Sequence, residues 1–143
     1  MKVNTIIKYR KNKLLNKIIH KILMRKGLDL PWNVKLGRNV SFPHNSVGTV
    51  IHNNSVIDDN VRIYQNVTLG RADIEKNAED SKMEGIHIKS GAIICAGAKV
   101  LCKEGILTVG KNTVVGANSV LLCSTGDNEI WAGIPAKKIR DIK

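Results

Sequence analysis

The sequence predicts a mainly β fold: a triangular parallel coil preceded by one amphipathic helix. Three observations carry this. Aliphatic residues after Gly27 recur at a spacing of six. Aromatic residues are scarce for a chain of 143 residues, with one Phe, two Trp and two Tyr. Gly, Asn and Asp fall between the aliphatics at regular intervals, where a chain can turn.

The helix comes first. Ile6/Ile7, Leu14/Leu15, Ile18/Ile19 and Ile22/Leu23 recur at helical spacing over residues 3–26, with an interruption near Lys11. Gly27 supplies a stop. Residues 1–27 hold nine Lys or Arg and no acid, and the net charge of +11 belongs to this arm. The remaining basic residues nearly balance the 12 acids. A solvated basic face is the plain expectation for the arm. Peripheral contact with an anionic membrane surface is the sharper one. The apolar stripe is expected to pack on the body or on a neighbouring subunit.

The coil follows. Ile51, Ile57, Ile63 and Leu69 are six apart; so are Ile88, Ile94 and Val100, and then Val109, Val115 and Leu121. Small residues or Val sit four places after many of them, as at Ser55, Val61, Val67, Ala92, Ala98, Thr113 and Ser119. A helix repeats at about 3.6 residues and a strand at about two, so neither explains the pattern. Short flat sides with one inward aliphatic each do, and hexapeptide repeats mark a parallel β-helix. Corners read as Asp58-Asp59-Asn60 and Gly110-Lys111-Asn112. Similar-sized aliphatics can stack in such a narrow interior, which accounts for the few aromatics. About five or six coils fit the length.

Two breaks interrupt the series. Arg71 to Glu84 has no repeat phase and reads as a loop (71–84) projecting from the coil. Long loops on a rigid scaffold tend to carry function, and this one can reach a neighbouring subunit. Val100 to Val109 is nine residues, so the chain bulges near Lys103-Glu104-Gly105.

Several function classes are disfavoured. Cys95, Cys102 and Cys123 are odd in number and lack metal-ligand spacing, which points to reduced thiols of a cytosolic protein. No metal cluster, phosphate-cradling Gly loop or aromatic-basic interleaving for nucleic acid is visible. The N-terminal apolar residues are broken by Lys or Arg every few positions, so no secretory h-region is present. No apolar run reaches the roughly 18 residues that would span a bilayer.

Specific segments then suggest a family. Asp29-Leu-Pro-Trp-Asn-Val-Lys-Leu-Gly37, followed by Phe42-Pro-His44, resembles the start of the serine acetyltransferase catalytic domain, which has an Asp and a His at this separation. Val56 to Gly70 resembles the family's next coils. Ala96 to Val100 and Val115 to Val120 resemble its coenzyme-side coils, and Ala132-Gly-Ile-Pro-Ala-Lys137 its closing loop. The resemblance covers residues 28–140. It implies a left-handed parallel β-helix over 28–143, a sense that composition could not supply, since most parallel crossovers are right-handed. It also implies acetyl-CoA as co-substrate, no metal, and a homotrimer with active sites between subunits.

The residue roles follow from the same resemblance. His44 would be the general base, because imidazole titrates near working pH. Asp29 would fix its tautomer from the other ring nitrogen. In a coil of about eighteen residues, positions fifteen apart lie almost one turn apart, so the two could stack. Ala96, Gly97 and Ala117 match the positions against which the pantetheine arm lies. Lys137, Lys138 and Arg140 could meet the nucleotide phosphates, or form a solvated tail. His52 and His87 lack a partner in the match and read as surface residues, with His20 facing solvent from the helix.

The resemblance frays in places that bear on the acceptor. The family's long helical N-terminal domain is replaced by about 27 residues. Its loop carries Arg-His-Pro where this chain reads Met83-Glu84-Gly85-Ile86. The residue before His44 is Pro43 and not Asp, and one residue is inserted in Asn45-Ser46-Val47-Gly48. That pattern resembles the short members of polysaccharide gene clusters. The expectation is O-acetylation of a sugar or lipid-linked saccharide hydroxyl for capsule, exopolysaccharide or O-antigen, in the cytoplasm or at the inner face of the membrane. Serine O-acetylation for cysteine synthesis is the alternative, with N-acetylation of an amino sugar third. A non-catalytic β-helix binding module is the reading outside enzymes, and retention of Asp29 and His44 speaks against it.

Overall fold

A computed structural model describes residues 1–10 and 12–143. Three stacks of short strands wind round one interior. The first face holds β1 (Leu28–Asp29), β3 (Thr49–Ile51), β6 (Thr68–Arg71), β9 (Lys99–Cys102) and β12 (Val120–Leu121). The second holds β2 (Lys35–Leu36), β4 (Ser55–Ile57), β7 (Lys82–Ile88) and β10 (Glu104–Val109). The third holds β5 (Arg62–Ile63), β8 (Ile93–Ile94), β11 (Val114–Val115) and β13 (Glu129–Gly133), closed by β14 (Ala136–Asp141). All neighbours are parallel except β13 and β14, which form an antiparallel hairpin. That hairpin caps the coil's last turn on this face.

The period-six residues are the interior. Each of the ten aliphatics from Ile51 to Leu121 is at most 1% exposed. The small residues between them, from Ser55 to Ser119, are buried as well. Truncating one such Ile or Leu costs about 2–5 kcal/mol, whereas an exposed ion pair contributes about 0–1 kcal/mol. The aliphatic stack, and not surface charge, therefore holds the coil. Corners need a left-handed residue, and Asn tolerates that conformation better than most side chains. Asn39, Asn60, Asn66, Asn112, Asn118 and Asn128 all take positive φ there.

The first coil would leave its aliphatics open at one end. The N-terminal segment covers them. It is two helices and not one: α1 (Val3–Ile6), extended by a 3-10 turn over Ile7–Tyr9, and α2 (Lys13–Arg25). The expected interruption at Lys11 lies outside the described residues. On one side of it, the Arg10 guanidinium donates to the carbonyls of Pro31, Trp32 and Val34 at 2.8–3.0 Å. On the other, Asn12 caps α2 by accepting the Leu15 N–H. Val3, Ile6, Ile19 and Leu23 join the coil's core. Lys13 and Lys17 each set an ammonium 5.3 Å from the Trp32 ring centroid. Gly27 ends the segment with φ 83°, as expected.

The two breaks in the repeat turn out to match one another. Lys82 and Met83 pair with Glu104 and Gly105, ahead of a register shift between Gly105 and Ile106. So residues 82–84, expected in the loop, are strand, and the loop proper is residues 72–81. It is tied down by Asp73, which is 1% exposed and accepts from Arg71 Nε and Ser81 Oγ, each at 3.1 Å.

Candidate active site

One edge of the prism, between the third and first faces, gathers most of the residues singled out by sequence. The chain turns there once per coil, at Pro43–Ser46, then at 64–66, 95–97 and 116–118. Backbone bonds stack these corners: Asn66 N–H to Val47 O, Gly97 N–H to Gln65 O, and Asn118 N–H to Ala96 O, at 2.9–3.0 Å. His44, Ala96, Gly97 and Ala117 thus lie along a single line. The exposed His44 ring sits 6.4 Å from the Tyr64 ring, centroid to centroid.

The His44 turn is unusual in its backbone. His44, Asn45 and Ser46 have φ of 54°, 57° and 45°, three left-handed residues in succession and none of them glycine. Ser46 secures the turn by donating to Ile63 O at 2.6 Å. Gly97 also has positive φ, 74°, and a Cβ there would collide with Asn118 Oδ1. The coil corner alone therefore requires this glycine.

The expected Asp29–His44 pair is not formed. Asp29 Oδ1 lies 2.9 Å from His20 Nε2, and the His44 ring has no hydrogen-bond partner among the described residues. The reason is α2, which folds back over β1 and brings His20 onto the carboxylate. His20 is accordingly a partly buried residue hydrogen-bonded to Asp29 and does not project freely into solvent. His87 is also partnered, with Nε2 3.0 Å from Asp58 Oδ1. That pair lies on the second face, away from the edge. Period-six reading missed both pairs: one joins helix to coil, and the loop hides the register of the other. His52 accepts the Asn54 N–H at Nδ1. Burial, and then the charge of Arg71, lowers its pKa.

At the far end of the edge, Lys137 stands opposite Ala132 in the β13–β14 hairpin. Lys138 is less free than expected. Its ammonium lies 2.8 Å from both Glu129 and Asp141 carboxylates. Those bonds, Asp141's first, raise its pKa. Arg140 keeps an exposed position on β14. Among the described residues, no group of three or more His, Cys, Asp or Glu could hold a metal ion, and no helix is long and apolar enough to cross a membrane. A cavity of about 650 Å³ lies between the N-terminal segment and the first coil, lined by Asn4, Ile7, Arg10, Asn16 and Arg38 among others. It reaches Ser41 but not His44, and contributes nothing to the edge.

Comparison with known proteins bears on this edge. The chain is 35% identical over 116 residues to the serine acetyltransferase of Haemophilus influenzae, covering 81% of this chain and 40% of that protein. It is also 35% identical over 114 residues to the serine acetyltransferase of Staphylococcus xylosus, covering 80% and 49%. The crystal structure of Brucella abortus serine acetyltransferase in complex with coenzyme A superposes with a TM-score of 0.72 at 30% identity, over 90% of this chain and 47% of that one. The coil is a serine acetyltransferase-like hexapeptide-repeat domain. Its fold is the left-handed parallel β-helix expected from the sequence. No family model matches the chain. The serine acetyltransferase-like chain spans less than half the length of the curated relatives it matches.

Proposed function

We propose that this domain transfers an acetyl group from acetyl-CoA to a hydroxyl, with His44 as general base. The observation that carries the reading is the single edge that holds His44, Ala96, Gly97 and Ala117. A hydroxyl is a poor nucleophile at neutral pH, and an exposed imidazole can take its proton as the oxygen attacks the thioester carbonyl. The new C–O bond forms, the C–S bond breaks, and the coenzyme A sulfur leaves with the proton returned by the imidazole. No covalent enzyme intermediate is needed. Small side chains at Ala96, Gly97 and Ala117 let a ligand approach the backbone closely. Lys137 is the better candidate for a nucleotide phosphate, because Lys138 already serves two carboxylates.

Serine is the acceptor favoured by the names of the relatives. A sugar hydroxyl is the second reading, and one observation favours it. Where the family places Arg-His-Pro, this chain has Met83-Glu84-Gly85, and the structure draws Lys82–Glu84 into β7 beside Glu104 and Gly105. The Arg-His-Pro motif with which the family grips serine is therefore missing from that place. Acetyl-CoA-dependent thiol release, with serine and then with nucleotide sugars and oligosaccharides, separates the two. Release lost in His44→Ala supports the enzyme reading, and failure of acetyl-CoA to bind would leave the binding-module reading.

Two further parts belong to this proposal. A homotrimer would cover Val47 and Val50, both exposed apolar residues beside the His44 turn. A cytoplasmic protein docked on the inner membrane face would use α2. Leu14, Ile18 and Ile22 are exposed there at i, i+4 spacing, next to Lys17, Lys21 and Arg25.

A further inference from the structure

We infer that the segment at residues 3–4 is a clasp that sets the geometry of the His44 turn, with Asn4 and Asn45 as positioning residues. The inference rests on the proposed role of His44. It starts from the three successive left-handed residues at 44–46. A backbone of that kind persists only where its surroundings over-determine it. Part of the restraint comes from the coil, through Ser46 and through the Asn66 N–H on Val47 O.

The rest comes from residues 3 and 4. The Phe42 N–H donates to Asn4 Oδ1 at 2.7 Å. The Val3 N–H donates to Asn45 Oδ1 at 3.2 Å. The two bonds are reciprocal: one runs from the turn's backbone to an N-terminal side chain, the other from the N-terminal backbone to a turn side chain. They straddle His44, one two residues before it and one immediately after. They are anchored in the interior, since Val3, Ile6 and Phe42 are each at most 2% exposed.

The same segment also contacts the second residue that the resemblance singles out. Beyond α1 it continues into α2, whose His20 takes the Asp29 carboxylate. Asp29 and the backbone on either side of His44 thus both contact residues that precede the coil. This gives the short N-terminal segment a catalytic purpose besides covering the open end. It orients the turn that carries the base, although no N-terminal side chain need touch substrate. A misplacement of about 1 Å can cost on the order of 100-fold in rate.

The test uses the full chain with ring-labelled histidines, followed by two-dimensional NMR. Only four histidines are present, and His44→Gln assigns the relevant signals. Asn4→Ala and Asn45→Ala are expected to shift or broaden the His44 ring signals. The His87 signals should stay put. Transfer should fall about 10-fold to 100-fold with KM for acetyl-CoA unchanged. Asn4→Asp keeps an acceptor for the Phe42 N–H and should restore both. The inference is overturned if the His44 signals and the rate are unaltered in both alanine variants. It is equally overturned if all four histidines change together and Asn4→Asp restores nothing, since that marks general loss of structure. Should His44→Ala retain full activity, the role of His44 falls, while the ring signals still report whether the clasp exists.

Discussion

His20 Nε2 and Asp29 Oδ1 lie 2.9 Å apart, so the carboxylate expected to serve His44 instead fastens α2 to the first strand. Both side chains are about a third exposed or less, and such pairs contribute about 0–1 kcal/mol. The carboxylate is thus lightly held. Because Asp29 bonds His20 and not His44, Asp29→Asn and His20→Gln are both expected to change transfer by no more than about twofold. Steady-state kinetics on both variants decide the matter. Equal small losses would mean that Asp29 serves the helix alone.

His44→Ala is expected to abolish most transfer, by about 100-fold or more. Stability should hardly change, because the ring is exposed and makes no hydrogen bond among the described residues. Thiol release and thermal unfolding on the same preparation read the two effects separately.

Gly97→Ala should destabilise the coil by about 1–2 kcal/mol, since residue 97 has φ 74° and the new methyl meets Asn118 Oδ1. Urea denaturation measures this. Ala96→Gly at the neighbouring corner position involves no such collision and should cost less, so a similar loss for both would point away from backbone geometry.

The C-terminal hairpin should loosen in acid. Hydrogen bonding by Lys138, and then by Trp131 and the Gly126 N–H, outweighs burial and holds the Glu129 carboxyl below its ordinary value. A depressed folded-state pKa contributes stability that is present above the unfolded value and lost as pH falls through the folded one. Glu129 Oε2 accepts the Trp131 indole N–H at 2.7 Å, so indole fluorescence reports the event. In Trp32→Phe, the emission change is expected below the usual glutamate range. Glu129→Gln should remove its pH dependence.

Binding to vesicles should track the exposed stripe of α2. Sedimentation with phosphatidylglycerol-containing vesicles is expected to capture the protein, and neutral phosphatidylcholine vesicles to leave it in solution. Ile18→Gln with Ile22→Gln should abolish capture with the coil intact. If those changes instead alter only the mass seen by light scattering, the stripe is a subunit contact.

Much of this molecule is legible in its sequence. The interior from Ile51 to Leu121 and the corners at Asn60 and Asn112 could be read off because a coil repeats locally: each side chain's direction follows from its place in a six-residue frame. Gly97 and Ala117 are singled out by the family resemblance and not by the frame, and stacking of the corners places them on one edge. Lys82–Glu84 were not legible as strand, because their partners, Glu104 and Gly105, lie in the other break of the repeat. Neither break has a phase of its own, and only stacking the coils shows that they pair.

The sequence by itself determined the coil and its corners, since these depend on near-neighbour spacing and on burial of similar aliphatics. Tertiary structure alone decided what each charged or polar side chain touches. Asp29 met His20, His87 met Asp58, Lys138 met two carboxylates, and Asn4 met the backbone ahead of His44. These contacts join segments with no common frame: a helix folded over the coil, a hairpin at its end, a turn in left-handed conformation. Burial of apolar surface brings such segments together, and the polar partners then follow from where that packing leaves them.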